Sequence, residues 1–133
     1  MTRALADFVG RWAIERTITH VGAARADFHG HATFEPDGDG LAYHEIGTLV
    51  IQGHPPMQSE RRYRWDADLN VYFDDGRFFH TVPPMGGKTQ HWCDPDDYAV
   101  DYDFSAWPNW TADWRVQGPR KNYRMLTGYR KAA

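Results

Sequence analysis

The residues of this 133-residue chain that could do chemistry are not clustered in one motif; they recur at every second position among apolar neighbours. Arg16 follows Trp12 and Ile14 and precedes Ile18. Glu45 alternates with Leu41, Tyr43 and Leu49, Arg61 and Tyr63 with Trp65, and Tyr98 and Tyr102 with Val100 and Phe104. A period of two is that of a β-strand, so each of these polar groups points the same way as the apolar side chains around it. His91 and Cys93 share the face opposite Trp92, and His80 joins the inward set if Phe78 rather than Phe79 shares its wall. Near the end of the chain Trp114 faces inward. Of the adjacent Arg120 and Lys121, it is Lys121, with the parity of Tyr123 and Tyr129, that is the inward cation.

A charge on an apolar face costs several kcal/mol unless it is paired, so Arg16 and Glu45 must meet each other, other side chains or a ligand. Three chemistries suit the set. In the first, Arg16 or Arg61 with Tyr63 and Tyr98 holds a small anionic or aromatic ligand by charge-assisted hydrogen bonds, and Glu45, His80, His91, Tyr102, Trp114, Lys121 and Tyr123 line or gate the cavity. In the second, a cofactor-free lyase or isomerase uses Arg16 as clamp, Glu45 as acid or base, and Tyr63 and His91 as proton donors. In the third, His80, His91 and Cys93 hold a metal or haem. Against all three stands a closed Arg16–Glu45 network that does no more than hold the fold together. Cys93 beside His91 on one strand is not a catalytic triad, and Asp94, Asp96 and Asp97 lack the spacing of a calcium loop. His29 and His31 fall on an outer face, and His20, His44 and His54 read as solvated. No cofactor is assigned.

The elements that must place these groups are short strands separated by turn formers. Gly22-Ala23-Ala24, Pro36 to Gly40, Gly53 to Pro56, Asp74-Asp75-Gly76, Asp94-Pro95-Asp96 and Gly118-Pro119 each break a period-two run. Nine or ten strands follow, with a short helical plug near the N-terminus that Thr2 can cap and that runs to Phe8. Small residues in mid-strand, Gly30 and Ala32, fit tight curvature. A meander of this length removes its exposed edges by closing into one all-β, antiparallel up-and-down barrel, a single domain spanning 1–133.

Composition narrows the partners. A net charge of −3 gives no basic field for nucleic acid or anionic lipid. One cysteine excludes an intrachain disulfide, and no apolar run reaches the roughly 20 residues of a membrane helix. The expectation is a reduced, cytoplasmic protein, with a homodimer compatible. Aromatic residues make up 15% of the chain and mean hydropathy is −0.71, so the apolar burden falls on rings with polar handles, which suits a hydrogen-bonding interior. If that interior were filled, the aromatics around Trp107 and Trp110 would become the candidate interaction surface.

Phe8-x-Gly10-x-Trp12 on the first strand and Tyr129-Arg130 on the last resemble the calycin superfamily of lipocalins and fatty-acid-binding proteins. That resemblance implies a tryptophan at the closed end of the barrel with a last-strand cation across it, here Arg130 on Trp12. It also implies carboxylate binding by interior arginine and tyrosine, as in fatty-acid-binding proteins, or acid/base chemistry by interior Arg, Glu and Tyr, as in phenolic acid decarboxylases. More of the chain resembles an uncharacterised lipocalin-like domain family of bacteria and fungi. The shared stretches are Gly10-Arg11-Trp12, Phe28-x-Gly30-x-Ala32-x-Phe34, Tyr43-x-Glu45-x-Gly47, Asp75-Gly76-Arg77-x-Phe79-His80, His91-x-Cys93, Asp97-Tyr98, Trp107-Pro108-x-Trp110 and Gly118-Pro119-Arg120-Lys121-x-Tyr123.

Overall fold

The computed structural model describes residues 2–132. A 3-10 turn over Leu5–Phe8 leads into β1 (Gly10–His20), β2 (Ala26–Asp37), β3 (Gly40–Ile51), β4 (Met57–Trp65) and β5 (Asn70–Phe73). Then come β6 (Phe78–Thr81), β7 (Gly87–Cys93), β8 (Asp96–Asp103), β9 (Trp110–Gly118) and β10 (Lys121–Lys131). All pairings are antiparallel, and β1 also pairs with β10, giving the order β6-β5-β4-β3-β2-β1-β10-β9-β8-β7. The sheet rolls into a nearly closed barrel whose ends, β6 and β7, meet at a seam without ladder hydrogen bonds. Side chains bridge that seam: Phe78 and Phe79 of β6 set their rings edge-on to His91 of β7, at 5.7 and 5.9 Å between centroids.

Alternation decides which residues go inside. β1 buries Trp12, Ile14 and Arg16 and exposes Arg11 and Glu15; β3 buries Leu41, Tyr43 and Glu45 and exposes Ile46. Gly30 and Gly47 sit directly opposite one another. A Cβ added at Gly30 would lie 2.2 Å from the Ile46 carbonyl oxygen, and one at Gly47 the same distance from that of His29. Only glycine permits so close an approach of two backbones, and the barrel wall draws in there.

The N-terminal turn plugs one end. Phe8 is fully buried, with the rings of Phe34, Trp65, Phe104, Trp107 and Trp110 all within 5.8 Å of its own, and the Trp12 indole N–H donates to its carbonyl at 2.9 Å. The turn begins at Ala4 rather than Thr2: the Asp7 carboxylate reaches back to accept from the Ala4 N–H at 2.8 Å, which a hydroxyl two residues earlier does not do. Two further expectations are corrected here. The cation over Trp12 is Lys131, whose Nζ lies 4.2 Å from the ring centroid, because the β1/β10 register sets Lys131 opposite Trp12 and turns Arg130 outward. Trp110 is only 2% exposed and stacks on Tyr129 at 3.7 Å, while Trp107 packs against the core, so this pair forms the floor of the barrel and not an interaction surface.

Candidate functional site

Midway up the barrel the inward positions of β1, β3 and β10 bring together five polar side chains. Arg16 donates to both carboxylate oxygens of Glu45, at 2.6 and 3.0 Å, and its Nε donates to the Thr127 hydroxyl at 2.7 Å. The Tyr43 hydroxyl donates to the same carboxylate. Tyr43 and Tyr129 hydroxyls are 2.9 Å apart, and since the single Tyr43 proton is committed to Glu45, Tyr129 must be the donor between them. Burial alone would push the Glu45 carboxyl up; the hydrogen bonds and charge of Arg16, with the Tyr43 hydroxyl and Arg61 charge, outweigh it and hold Glu45 below the usual carboxylate range. Burial also works against the Arg16 cation, yet Glu45 more than compensates and raises its affinity for the proton. Tyr43 is held well above the ordinary tyrosine value and Tyr129 is pushed up to about 12, both mainly by burial. The network is therefore an ionised pair flanked by neutral phenols, with its protons already spent.

Two residues before Tyr63 on β4, and so on the same face, stands a second guanidinium in different circumstances. Arg61 is half-buried and faces inward, yet its contacts are weak: Nη1 lies 3.4 Å from the Tyr63 hydroxyl and Nη2 3.8 Å from the Met125 sulfur. Among the described residues no carboxylate oxygen lies within 4.0 Å of it. Arg61 and Tyr63 line both the inner cavity and a shallow, open depression of about 500 Å³ whose other walls are Arg62, Phe73, Asp74 and Asp75.

The inner cavity is small, about 30 Å³ for the centres of water-sized spheres. At roughly 10–15 Å³ per water, that is room for about two. It is enclosed by Arg16, Glu45, Arg61, Tyr63, His80, Tyr102 and Trp114, seven of the eleven residues that strand parity places inside. The candidate site left out the rest of the wall: Tyr43, Trp65 and Tyr129, which strand parity also turns inward, and Val71, Phe79, Trp110 and Ala112. Parity places Tyr43 beside Glu45, but only the geometry shows that its hydroxyl bonds that carboxylate. The other four residues sit higher. His91 is half-buried against Phe79; Tyr98 packs on Phe79 at 5.3 Å; Lys121 donates to Tyr98 at 3.4 Å and pairs with Asp96 at 2.8 Å; Tyr123 stacks near His20. The Asp96 and Tyr98 contacts raise the Lys121 pKa, hydrogen bonding to Asp96 being the largest cause. They form a rim around the cavity rather than its lining.

His80 is inside, but the wall condition set for it fails. Phe79 is fully buried and Phe78 is exposed, and His80 is buried as well. The pairing of β5 with β6 slips between Val71 and Tyr72, so two successive residues of β6 turn inward. One ring nitrogen of His80, Nε2, is 2.8 Å from the Tyr102 hydroxyl; the other, Nδ1, has no partner. Burial, with a smaller contribution from His91, pushes the imidazole down to about 3, so it is neutral at ordinary pH. Among the described residues no group of three His, Cys, Asp or Glu side chains is placed to hold a metal ion.

A ten-stranded up-and-down barrel, plugged at one end by an N-terminal turn and a glycine-spaced tryptophan, is a calycin-like, lipocalin-type fold. The chain belongs to the family of unknown function DUF6314, whose model matches residues 8–131. No curated protein matches it. Among solved structures it is similar to the S-type phycobiliprotein lyase CPES from Guillardia theta, with a TM-score of 0.67 at 7% identity, over 97% of this chain and 90% of that one. At that identity the likeness is one of fold. Among the described residues no helix is long and apolar enough to cross a membrane.

Proposed function

We propose that the protein binds a small, ring-bearing anion at the neck of the barrel, with Arg61 as the anion clamp and Tyr63 beside it. The observation that carries this reading is the contrast between the two inward arginines: Arg16 is saturated by Glu45 and Thr127, whereas Arg61 has no carboxylate within 4.0 Å among the described residues. A half-buried guanidinium without a counterion is a costly feature unless an anion arrives. The volumes support a divided ligand. A head group of about two heavy-atom oxygens fits the inner 30 Å³, and an uncharged aromatic body lies in the shallow outer depression against Tyr63 and Phe73, since Asp74 and Asp75 on its rim would repel a second negative charge. Similarity to a lyase supports a site in the barrel only at the level of fold. Because Glu45 is held ionised by Arg16 and its surrounding phenols are spent, acid/base catalysis by Glu45 is the weaker reading.

The test is a titration with 2-naphthoate, followed by quenching of tryptophan fluorescence and by calorimetry. Saturable one-site binding that weakens at least about tenfold in Arg61→Leu supports the clamp, since a hydrogen bond to a charged group contributes roughly 1.5–3 kcal/mol. Equal affinity in the variant, or no saturable binding to the native protein, refutes it.

A further inference from the structure

Every junction around the barrel but one is an antiparallel ladder, and the exception is β6 against β7. Among the described residues a single hydrogen bond crosses that seam, between His80 Nε2 on β6 and the Tyr102 hydroxyl on β8 at 2.8 Å. The rest is contact between rings: Phe78 and Phe79 edge-on to His91, and Phe79 edge-on to Tyr98 and Trp114 at 5.3 and 5.2 Å. Parting a ladder breaks a row of backbone hydrogen bonds, whereas this seam parts for one side-chain bond and a few ring contacts.

The strand beside the seam is short and unevenly tied. β6 spans only Phe78–Thr81, between Gly76 at φ +90° and the pair Gly86 and Gly87 at φ +83° and +110°, conformations that glycine adopts without strain. Its floor end is fixed, because the Val82 N–H donates to the Leu69 carbonyl at 2.9 Å and the Arg3 N–H to that of Pro84 at 2.7 Å. At the other end Phe78 is 47% exposed and holds the seam from outside. Phe79 and His80 are buried and both line the inner cavity, so any outward movement of β6 takes part of the cavity wall with it. Directly behind the His80–Tyr102 bond stands Ala112, the partner of Tyr102 in the β8/β9 register and itself a lining residue.

From these contacts we infer that the β6–β7 seam is a side door to the inner cavity, with the His80–Tyr102 hydrogen bond as its latch. β6 swings outward while keeping its pairing with β5, Phe79 leaves Tyr98 and Trp114, and no ladder is broken. The 30 Å³ of the cavity is then the volume of the closed state, and the open barrel receives a body larger than two waters. The door goes beyond the proposed anion site and holds whatever ligand the barrel takes.

The experiment places a thiol behind the latch. Cys93→Ser removes the native thiol and Ala112→Cys puts one in the cavity wall, whose modification by methyl methanethiosulfonate is followed by mass spectrometry at increasing urea concentrations. Modification through the door should show a urea dependence no more than about a third of that of global unfolding, because opening exposes little surface. Tyr102→Phe in the same background removes the latch bond and should speed modification about three- to tenfold. Phe78→Ala removes a ring that is half-exposed, so the core stays folded, and should speed it about twofold or more. A modification rate that tracks global unfolding throughout the urea series overturns the door. So does acceleration by Lys121→Ala at the rim with none from Tyr102→Phe or Phe78→Ala, which moves the route to the mouth of the barrel.

Discussion

Arg16 and Arg61 enter the barrel on different strands and face the same interior, but one region is closed chemistry and the other is open. Around Arg16 every strong contact is reciprocated: a bidentate carboxylate, a threonine hydroxyl and two phenols whose single protons are committed in sequence. Around Arg61 the nearest acceptors are a phenol at 3.4 Å and a thioether at 3.8 Å. Below both, the aromatic floor packs ring on ring about Phe8. The difference teaches that burial and charge alone do not mark a site; what marks it is hydrogen-bonding capacity left over after the protein has satisfied itself.

The comparison breaks most visibly in stability. Glu45→Gln keeps the shape and removes the charge, leaving the Arg16 guanidinium buried without a counterion. The expected loss is about 3–5 kcal/mol in chemical denaturation. Arg61→Leu removes a cation with no carboxylate within 4.0 Å and only a minor charge effect on Glu45, which keeps its Arg16 partner, so stability should stay within about 1 kcal/mol of the native value. Similar losses in the two variants would mean that Arg61 is a structural residue like Arg16, and the contrast on which the anion site rests would be gone.

Much of the fold was legible in period-two alternation. An expectation of nine or ten strands, their turns and the inward parity of Arg16, Glu45, Arg61, Tyr63 and Tyr102 all follow from it; the count is ten. What was not legible depends on register and on depth. The cation over Trp12 turns on which of two adjacent residues, Arg130 or Lys131, lies opposite it across β1 and β10. Phe79 and His80 are both buried because of a one-residue slip against β5, which alternation cannot anticipate. Parity also cannot say how far along the barrel a residue sits, so His91, Tyr98, Lys121 and Tyr123 share the orientation of the cavity residues yet form its rim. That the N-terminal plug covers Trp110 is likewise not written in the residues around it, since Phe8 reaches it from the far end of the chain.

A pH titration sharpens the boundary between the two regions. His80 has a folded value of about 3 against 6.5 for the free side chain, so between these values the unfolded chain binds the extra proton. Stability is then full above pH 6.5 and falls as pH drops, by up to about 1.4 kcal/mol per unit. Glu45, also depressed, adds its own loss only below its ordinary value of 4.5. Between pH 6.5 and 4.5 the slope therefore reports His80, and denaturation of His80→Gln should flatten it over that window while leaving the steeper fall at lower pH. A slope unchanged in the variant would show that the histidine is not held neutral in the cavity wall.

The smallest expected effect lies at the plug, where the floor that supports both regions is tied down. Lys131 sets its ammonium 4.2 Å from the Trp12 ring centroid and donates to the Val9 carbonyl at 3.2 Å, joining the last strand to the N-terminal turn. The contact is solvent-exposed on the lysine side, which limits it to roughly 0.5–1 kcal/mol. Lys131→Ala should lower stability by about that amount, and Arg130→Ala, one residue away and turned outward, by less than about 0.5 kcal/mol. Reversed magnitudes would move the cation to Arg130 and with it the β1/β10 register. Tyr129 would then no longer face inward to stack on Trp110 and bond Tyr43, and the floor on which the two arginine regions are distinguished would have to be rebuilt.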